Sequence, residues 1–492
     1  MESNLPVLQI VVPLVAAPLC ILLRRRSLVL GFAIAICWLT FGIALHLLGD
    51  VLSGGVIRYE MGGWSAPWGI EYRIDVLSAF VLVFVSAIGA IVLTYAPRSL
   101  TEEIPEGRHY LFCSVYLLCL TGLLGIVITG DLFNLFVFLE ISALSSYTLI
   151  GMGGRRQALP AAFQYLVMGT IGATFILIGI GLMYMMTGTL NMADMAARLP
   201  AASELRTVLV AFGFLTVGIS LKMALFPLHI WLPNAYAYAP SVVTAFLAAT
   251  ATKVAVYIFL RFMFSVFGPE FVFGARALDT ILMPLSLAGI FVASTVAIFQ
   301  TDIKRMLAYS SVAQIGYMVL GISFASVTGL TGGIIHMFNH ALMKGGLFMA
   351  MGCIMFSLQS VDLDDMRGLG RRMPFTMMAW VIGGLGLIGV PLTVGFISKW
   401  YLLQAALERG WWWIAVLLLL SSLLALTYVW RVVETAYFKE PLDPEREVRE
   451  APLSMLIPTW VLIGATIVFG VMSTGPVSIA RQAAETLLSG AP

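Results

Sequence analysis

Charge is the property this sequence has least of: Asp, Glu, Lys and Arg fill 11% of its 492 positions, under half the soluble share, while hydrophobic residues fill 60%. That excludes the string of soluble domains which the length alone suggests. There is no basic block either, since 28 Lys and Arg stand against 26 Asp and Glu for a net charge of +2. With nothing arranged to neutralise a phosphate backbone, nucleic acid is excluded as a partner. Cysteine is scarce, and Cys20, Cys37, Cys113, Cys119 and Cys353 sit inside apolar runs without a CxxC pair. A disulfide scaffold and a thiolate frame for zinc or iron–sulfur are excluded with it. A dinucleotide fingerprint on a strand and a lipid-anchor motif are absent, and the first apolar run, from about Leu5, has neither a basic leader nor a cleavage site. No resident metal or cofactor is expected, and the first run reads as a retained helix. What is abundant is apolar sequence, with a mean hydropathy of +0.96. Runs of about twenty residues recur from end to end, the length that crosses a hydrocarbon layer.

The expected fold is therefore an all-α polytopic membrane protein with about fourteen transmembrane helices. They lie near 5–24, 29–50, 73–96, 109–129, 131–152, 160–187, 206–238, 241–265, 278–299, 303–324, 329–358, 374–407, 411–437 and 452–474. The stretch GVIRYEMGGWSAPWGIEY, 55–72, is too polar and broken to span, and reads as a hairpin-like loop at the membrane surface. Alternate loops on one side hold sixteen Lys and Arg, among them Arg24, Arg25, Arg26, Arg155 and Lys304, against eight on the other, among them Arg58, Arg73 and Arg261. Cytoplasmic loops keep the positive excess, so both termini are expected on the non-cytoplasmic side of a prokaryotic cell membrane.

Helices 7 and 12 are too long to be straight, and each carries a central proline: Pro227 in LKMALFPLHIWLP and Pro391 in GLIGVPLTVGFISKW. A proline removes a backbone hydrogen bond and clashes with the preceding turn, at about 3 kcal/mol in an ordinary helix. In lipid the break survives only where protein or a wet cavity satisfies the freed carbonyls, and paired breaks in two halves point to an ion site between inverted repeats. Helix 5 opens TGDLFNLF and closes YTLIG, and helix 10 opens TDIKRMLA and closes YMVLG. Two five-helix repeats are expected, helices 4–8 and 9–13, which divides the chain into 1–104, 105–265, 266–440 and 441–492. Lys222 precedes its proline and Lys399 follows its own, so the two lysines do not superpose in a simple alignment of the repeats.

Setting the loop cations aside leaves Lys222, Lys253, Lys344 and Lys399 at membrane depth, with one carboxylate, Glu140. At about 1.5 Å of rise per residue, Glu140 lies about 14 Å beyond Asp131, near the middle of a layer about 30 Å thick. Five such charges cost on the order of 12 to 18 kcal/mol if left unpaired, so the least costly arrangement turns them inward onto a shared wet axis. There Glu140 can pair with a lysine, and a desolvated lysine can exchange its proton. His336, His340 and Lys344 recur every fourth residue on one face of helix 11. The two imidazoles can act as relay members, as hydrogen-bonded core residues or, lacking further ligands nearby, least readily as metal ligands. His229 can cap the broken helix as readily as carry protons. Ser310, Tyr317 and the other hydroxyls nearby carry no individual signal.

The segments TGDLFNLFVFLEISALSSY, LKMALFPLHIWLPNAYAYAPSVVTAFLAATATKVAVY, TDIKRMLAYSSVAQIGY, HMFNHALMKGGLF and VPLTVGFISKW resemble the antiporter-like subunits shared by respiratory complex I, Mrp-type sodium/proton antiporters and membrane-bound hydrogenases. The resemblance covers about 105–440 and is nearest in wording to the D-type subunit of the Mrp antiporters. It implies that Glu140 and Lys222 form a pair controlling proton affinity, that Lys253 is the connecting lysine of helix 8, and that His336, His340 and Lys344 link two half-channels. Lys399 is then the terminal residue that hands protons to the outside. Residues 475–492 hold only a short amphipathic tail, so the distal complex I subunit with its long lateral helix is a poor match. The expected partners are other membrane subunits of a hetero-oligomeric complex, lipids, protons, and sodium or potassium. The expected function is proton translocation in a multisubunit cation/proton antiporter, with a pumping subunit of a complex I-like or hydrogenase complex as the alternative. A self-sufficient solute carrier, a cofactor-bearing oxidoreductase subunit and a passive scaffold are the other classes weighed. The lysine-rich axis and the missing cofactor motifs fit them less well.

Overall fold

The computed structural model describes residues 4–203 and 205–490; the outer ends of the first and last expected segments, 1–3 and 491–492, lie outside the described residues. Twelve helices among them are long and apolar enough to cross a membrane. We label them in passage order: α1 Leu5–Leu23, α2 Arg26–Gly54, α3 Val76–Glu103, α4 His109–Ile128, α5 Leu132–Gly151 and α6 Ala158–Thr187. After the broken α7 come α8 Ser241–Val266, α9 Asp279–Ile298, α10 Ile303–Ser323 and α11 Val327–Leu358. After the broken α12 come α13 Trp412–Phe438 and α14 Leu453–Val471. α7 is Arg206–Lys222 (α7a) and Trp231–Tyr238 (α7b); α12 is Pro374–Ile388 (α12a) and Val394–Glu408 (α12b). The two broken segments complete the fourteen expected passages, and Pro227 and Pro391 both fall in the breaks. The amphipathic tail is α15, Thr474–Leu488, packed on α3 and α11.

The surface loop forms the expected hairpin, with β1 Ile57–Glu60 antiparallel to β2 Glu71–Ile74. Its return strand runs straight into α3, whose first turn is capped by Asp75 accepting from the Ser78 amide at 2.9 Å. Since the number of passages is even, the chain begins and ends on one face, here called the terminal face. The hairpin and α15 lie on that face too.

The repeat is visible at the helix starts. Asp131 caps α5 through the Asn134 amide at 2.7 Å, and Asp302 caps α10 through the Arg305 amide at 2.9 Å. In each case the capped turn is clasped by a distant loop through two backbone bonds. The Leu132 amide donates to Leu190 and Met192 to Gly130, while Ile303 donates to Val361 and Leu363 to Thr301, all at 2.9 Å. Five passages separate the two starts, so the clasps lie on opposite faces and the repeats are inverted. α11 runs through the middle of the bundle and contacts α3, α8, α10, α12, α14 and α15. It is buried along nearly its whole length, which places His336, His340 and Lys344 deep inside the protein.

Two loop assignments fail. Lys304 lies inside the first turn of α10 and is 1% exposed, its ammonium donating to the Ala239 carbonyl at 2.8 Å. Arg261 lies in the final, π-helical turn of α8, its side chain 11% exposed and paired with Asp75. Both stand at the ends of apolar runs, where sequence cannot tell a turned-in side chain from a solvated one.

Candidate functional site

The two helix breaks set the first and last charges in place. In α7 the chain leaves helical geometry after Lys222, and the Leu221 carbonyl accepts from the Ala224 amide at 3.1 Å and from the indole of Trp231 at 3.0 Å. Lys222 thus stands at the end of α7a with its ammonium 3.9 Å from a Glu140 carboxylate oxygen. That is ion-pair contact but beyond hydrogen-bond length, and neither the ammonium nor Glu140 Oε1 has a hydrogen-bond partner in the structure. Beside Lys222 a cavity of about 40 Å³, lined also by Ser142, Ser146, Tyr165 and Ala251, reaches α8. It has room for one or two waters.

α8 bends at Thr250, where φ is −121° and ψ −58°, and this opens its backbone next to Lys253. The Lys253 ammonium donates to the Ala248 carbonyl and to Thr252 Oγ1, the latter at 3.3 Å. The sequence gives no warning of this bend, because no proline or glycine marks it. On α11 the Lys344 ammonium donates to the Leu307 carbonyl at 2.7 Å and to Ser310 Oγ. His340 stacks on His336 with ring centroids 6.1 Å apart, and neither of its ring nitrogens has a hydrogen-bond partner in the structure. His336 is held from two sides, Nδ1 by Ser398 Oγ at 2.7 Å and Nε2 by Gln314 Oε1 at 2.8 Å. Ser398 is the residue before Lys399, so the imidazole file meets the last lysine across one side chain.

Lys399 lies inside α12b and reaches back over the break. Its ammonium donates to the last carbonyls of α12a, Leu387 at 3.2 Å and Ile388 at 2.9 Å, and to Ser422 at 3.0 Å, over the ring of Tyr317. The structure therefore groups the predicted residues as a pair, Glu140 with Lys222, and a file, Lys253, Lys344, His340, His336 and Lys399. The small cavity beside Lys222 faces the gap between pair and file. Gln314, Ser398 and Ser422 bond the predicted residues without having been singled out in the sequence, and Ser310, which carries no individual signal there, bonds Lys344. Helical spacing from the file is the one signal that could have found them: Ser310 and Gln314 stand four apart on α10. His229 lies within the α7 break, its ring stacked on Phe226 and edge-on to Tyr309 of α10.

Residues 129–425, which span α5 to α13 and hold the whole pair and file, match the family described as NADH:quinone oxidoreductase/Mrp antiporter, transmembrane. The chain belongs to this family. A relative from Desulforudis audaxviator, named as the N-type subunit of an NADH-quinone oxidoreductase, is 42% identical over 491 residues, covering 96% of this chain and 97% of its own. One from Alkalihalophilus pseudofirmus, named as the D-type subunit of a Na(+)/H(+) antiporter, is 29% identical over 490 residues, covering 99% and 97%. Among solved structures, a chain of the Mrp complex from Dietzia sp. DQ12-45-1b superposes with a TM-score of 0.91 at 26% identity, covering 100% of this chain and 98% of that one. The match runs through α1, α2 and α14 as well, so family resemblance extends over all the helices, beyond the 105–440 of the recognisable motifs.

Proposed function

We propose that the chain is the proton-translocating subunit of a multisubunit monovalent cation/proton antiporter. The observation that carries it is the grouping of five intramembrane charges and two imidazoles into a pair, Glu140–Lys222, and a set of buried groups on α8 and α11 followed by Lys399, which stands over a broken helix. Each member can give up or accept a proton; Lys253, Lys344, His340 and His336 are fully buried, while Glu140 at the start is 30% exposed and Lys399 at the end is partly buried. The proton is taken up at Glu140 and Lys222, crosses through Lys253, Lys344, His340 and His336, and leaves at Lys399. Residues 105–265 and 266–440 each supply one half of the path, with 1–104 and 441–492 packed around them. The Lys/Arg bias supports termini outside the cytoplasm of a prokaryotic cell. Other membrane subunits cover its flanks, and any electron transfer belongs to those chains. The test is cation-dependent proton flux in inverted vesicles carrying the complete complex with Lys222→Ala or Glu140→Ala. Loss of flux in both is expected, and wild-type flux in both overturns the proposal.

The 42% identity to a relative named for a quinone oxidoreductase favours a second reading, in which the same file is driven by electron flow in a complex I-like assembly. Mass spectrometry of the complex extracted in mild detergent separates the two: small antiporter subunits point to the first, iron–sulfur subunits to the second.

A further inference from the structure

The proposed path uses one residue of α8, Lys253, yet the polar face of that helix continues. Tyr257 and Arg261 follow at steps of four, on the face of Lys253, and carry the polar line about 12 Å further toward the terminal face. Such a line is a hazard in a subunit that must release protons elsewhere, because water along it gives Lys253 a second way out.

The line is shut at its outer end. Arg261 grips Asp75 through both guanidinium nitrogens, Nη1 on Oδ2 at 2.6 Å and Nη2 on Oδ1, and also donates to Ser78 Oγ at 2.7 Å and Tyr257 Oη at 2.8 Å. Tyr257 in turn donates to the Val127 carbonyl at 2.7 Å, tying α8 to α4 as well as α3. Both charges are nearly sealed, with 11% and 8% of their side chains exposed. Immediately outside lies a cavity of about 40 Å³ lined by Glu71, Arg73, Thr129 and Gly130 and roofed by Thr486 and Leu487 of α15. Asp75, Arg261 and Tyr257 line the same cavity, so water has room on the outer side of the guanidinium as far as Tyr257, while Val256 and Lys253 further in are at most 1% exposed.

We infer that the Arg261–Asp75 pair is a proton barrier that closes the first repeat toward the terminal face and makes Lys399 the obligatory outlet. The inference rests on the proton-conducting reading above. A guanidinium stays charged at every physiological pH, so it can neither carry a proton nor let a hydrated one pass close by, the role a fixed arginine plays in water-selective pores. Asp75 offsets the cost of burying it, and the guanidinium, donating to Tyr257, is the member of the pair that stands on α8 in line with Lys253. Arg261 and Asp75 are positioning residues: they handle no transported proton and determine where protons cannot go.

The experiment uses the complete complex in sealed vesicles, with passive proton leak read under an imposed membrane potential and no driving cation or electron donor. The variant is Asp75→Asn/Arg261→Gln, which removes both charges and so leaves neither buried without its partner. Leak is expected to rise by about fivefold or more, and to return to the wild-type rate when Lys253→Ala is added. A purely structural pair predicts loss of complex or a leak that ignores Lys253, and either result overturns the inference, as does wild-type leak in the assembled double variant. Arg261→Lys, which keeps a cation at the same place, is expected to remain tight; a leak in it equal to that of the double variant also overturns it. Driven flux in the same vesicles with Lys222→Ala keeps the two claims apart: if that flux persists, the conduction reading fails, whereas its loss together with an unchanged leak fails the barrier alone.

Discussion

At the break in α7 the lysine stands before the gap, its ammonium 3.9 Å from a carboxylate and without a hydrogen bond among the described residues, while a backbone amide and a tryptophan indole bond the last-turn Leu221 carbonyl. At the break in α12 the lysine stands after the gap, with no carboxylate in contact, and its ammonium itself satisfies the orphaned carbonyls. The backbone at membrane depth is bonded at the first break by the chain's own amides and a neutral ring, and at the second by the ion. The difference has a functional side. Lys222 is free to lose its proton or swing without disturbing the fold, and its charge state is coupled to Glu140. The Lys399 ammonium uses all three donors at the break and a neutral amine would keep two, so in the proposed path proton release there rearranges the bonding between α12a, α12b and Ser422.

The comparison is broken most severely at the pair. Lys222→Ala is expected to lower driven proton flux by more than about tenfold, over about 1.4 kcal/mol in barrier, while the amount of assembled complex stays near wild type because no carbonyl depends on that ammonium. Glu140→Gln, which keeps the shape and removes the charge, is expected to fall in the same direction. Flux in inverted vesicles and complex recovered in mild detergent check both.

At the second break the two roles of the lysine can be pulled apart. Lys399→Arg keeps a cation and several donors for Leu387, Ile388 and Ser422 but cannot deprotonate. Assembly is expected to survive with flux down about tenfold. Lys399→Ala should lose complex as well as flux, since two buried carbonyls lose their donor. Equal flux in Lys399→Arg and wild type shows that Lys399 only staples the helix.

Between the breaks, Gln314→Leu tests the file. It removes one of two partners of His336 and leaves Ser398 in place, so the ring loses its fixed tautomer and orientation. A fall of about three- to fivefold in flux is expected, smaller than at either lysine, with a stability loss of about 1 to 3 kcal/mol because a buried imidazole nitrogen loses its partner although Leu fills the volume.

Much of this architecture was legible in the residues. Fourteen passages follow from the length of apolar runs, and the two breaks coincide with Pro227 and Pro391, where the runs are also too long for one straight helix; prolines in runs of ordinary length, such as Pro284 in α9 and Pro458 in α14, leave their helices unbroken. The charged members of the file stand out because a charge amid apolar residues is costly and therefore conspicuous. The neutral members do not. Ser398 and Gln314 fall at helical positions where such residues are common, and only the packing of α10, α11 and α12b against one another gives them a task. The bend at Thr250 is equally silent, since it comes from tertiary packing and not from a breaker residue. Arg261 and Lys304 were hidden for another reason: at the end of an apolar run the side chain can turn to solvent or inward, and the choice belongs to Asp75 and to the Ala239 carbonyl, far away in sequence.

The smallest expected effect concerns how tightly each break is closed. A Cβ built on Gly395, in the first turn of α12b, lies 1.9 Å from the Gly386 carbonyl oxygen of α12a, so Gly395→Ala must push the two halves apart. On α7a a Cβ at Gly213 meets nothing within 4 Å. Gly213→Ala should therefore leave flux and melting temperature unchanged. Gly395→Ala moves the carbonyls at the end of α12a away from the Lys399 ammonium that follows one turn later, loosening the link between release and break geometry. A change of about twofold in flux, with melting of the detergent-extracted complex lowered by a few degrees, is the expected result. If Gly395→Ala melts and conducts as wild type, the two halves of α12 are not in close contact in the working protein, and the contrast between a break stapled by its lysine and a break left open to its carboxylate loses its structural half.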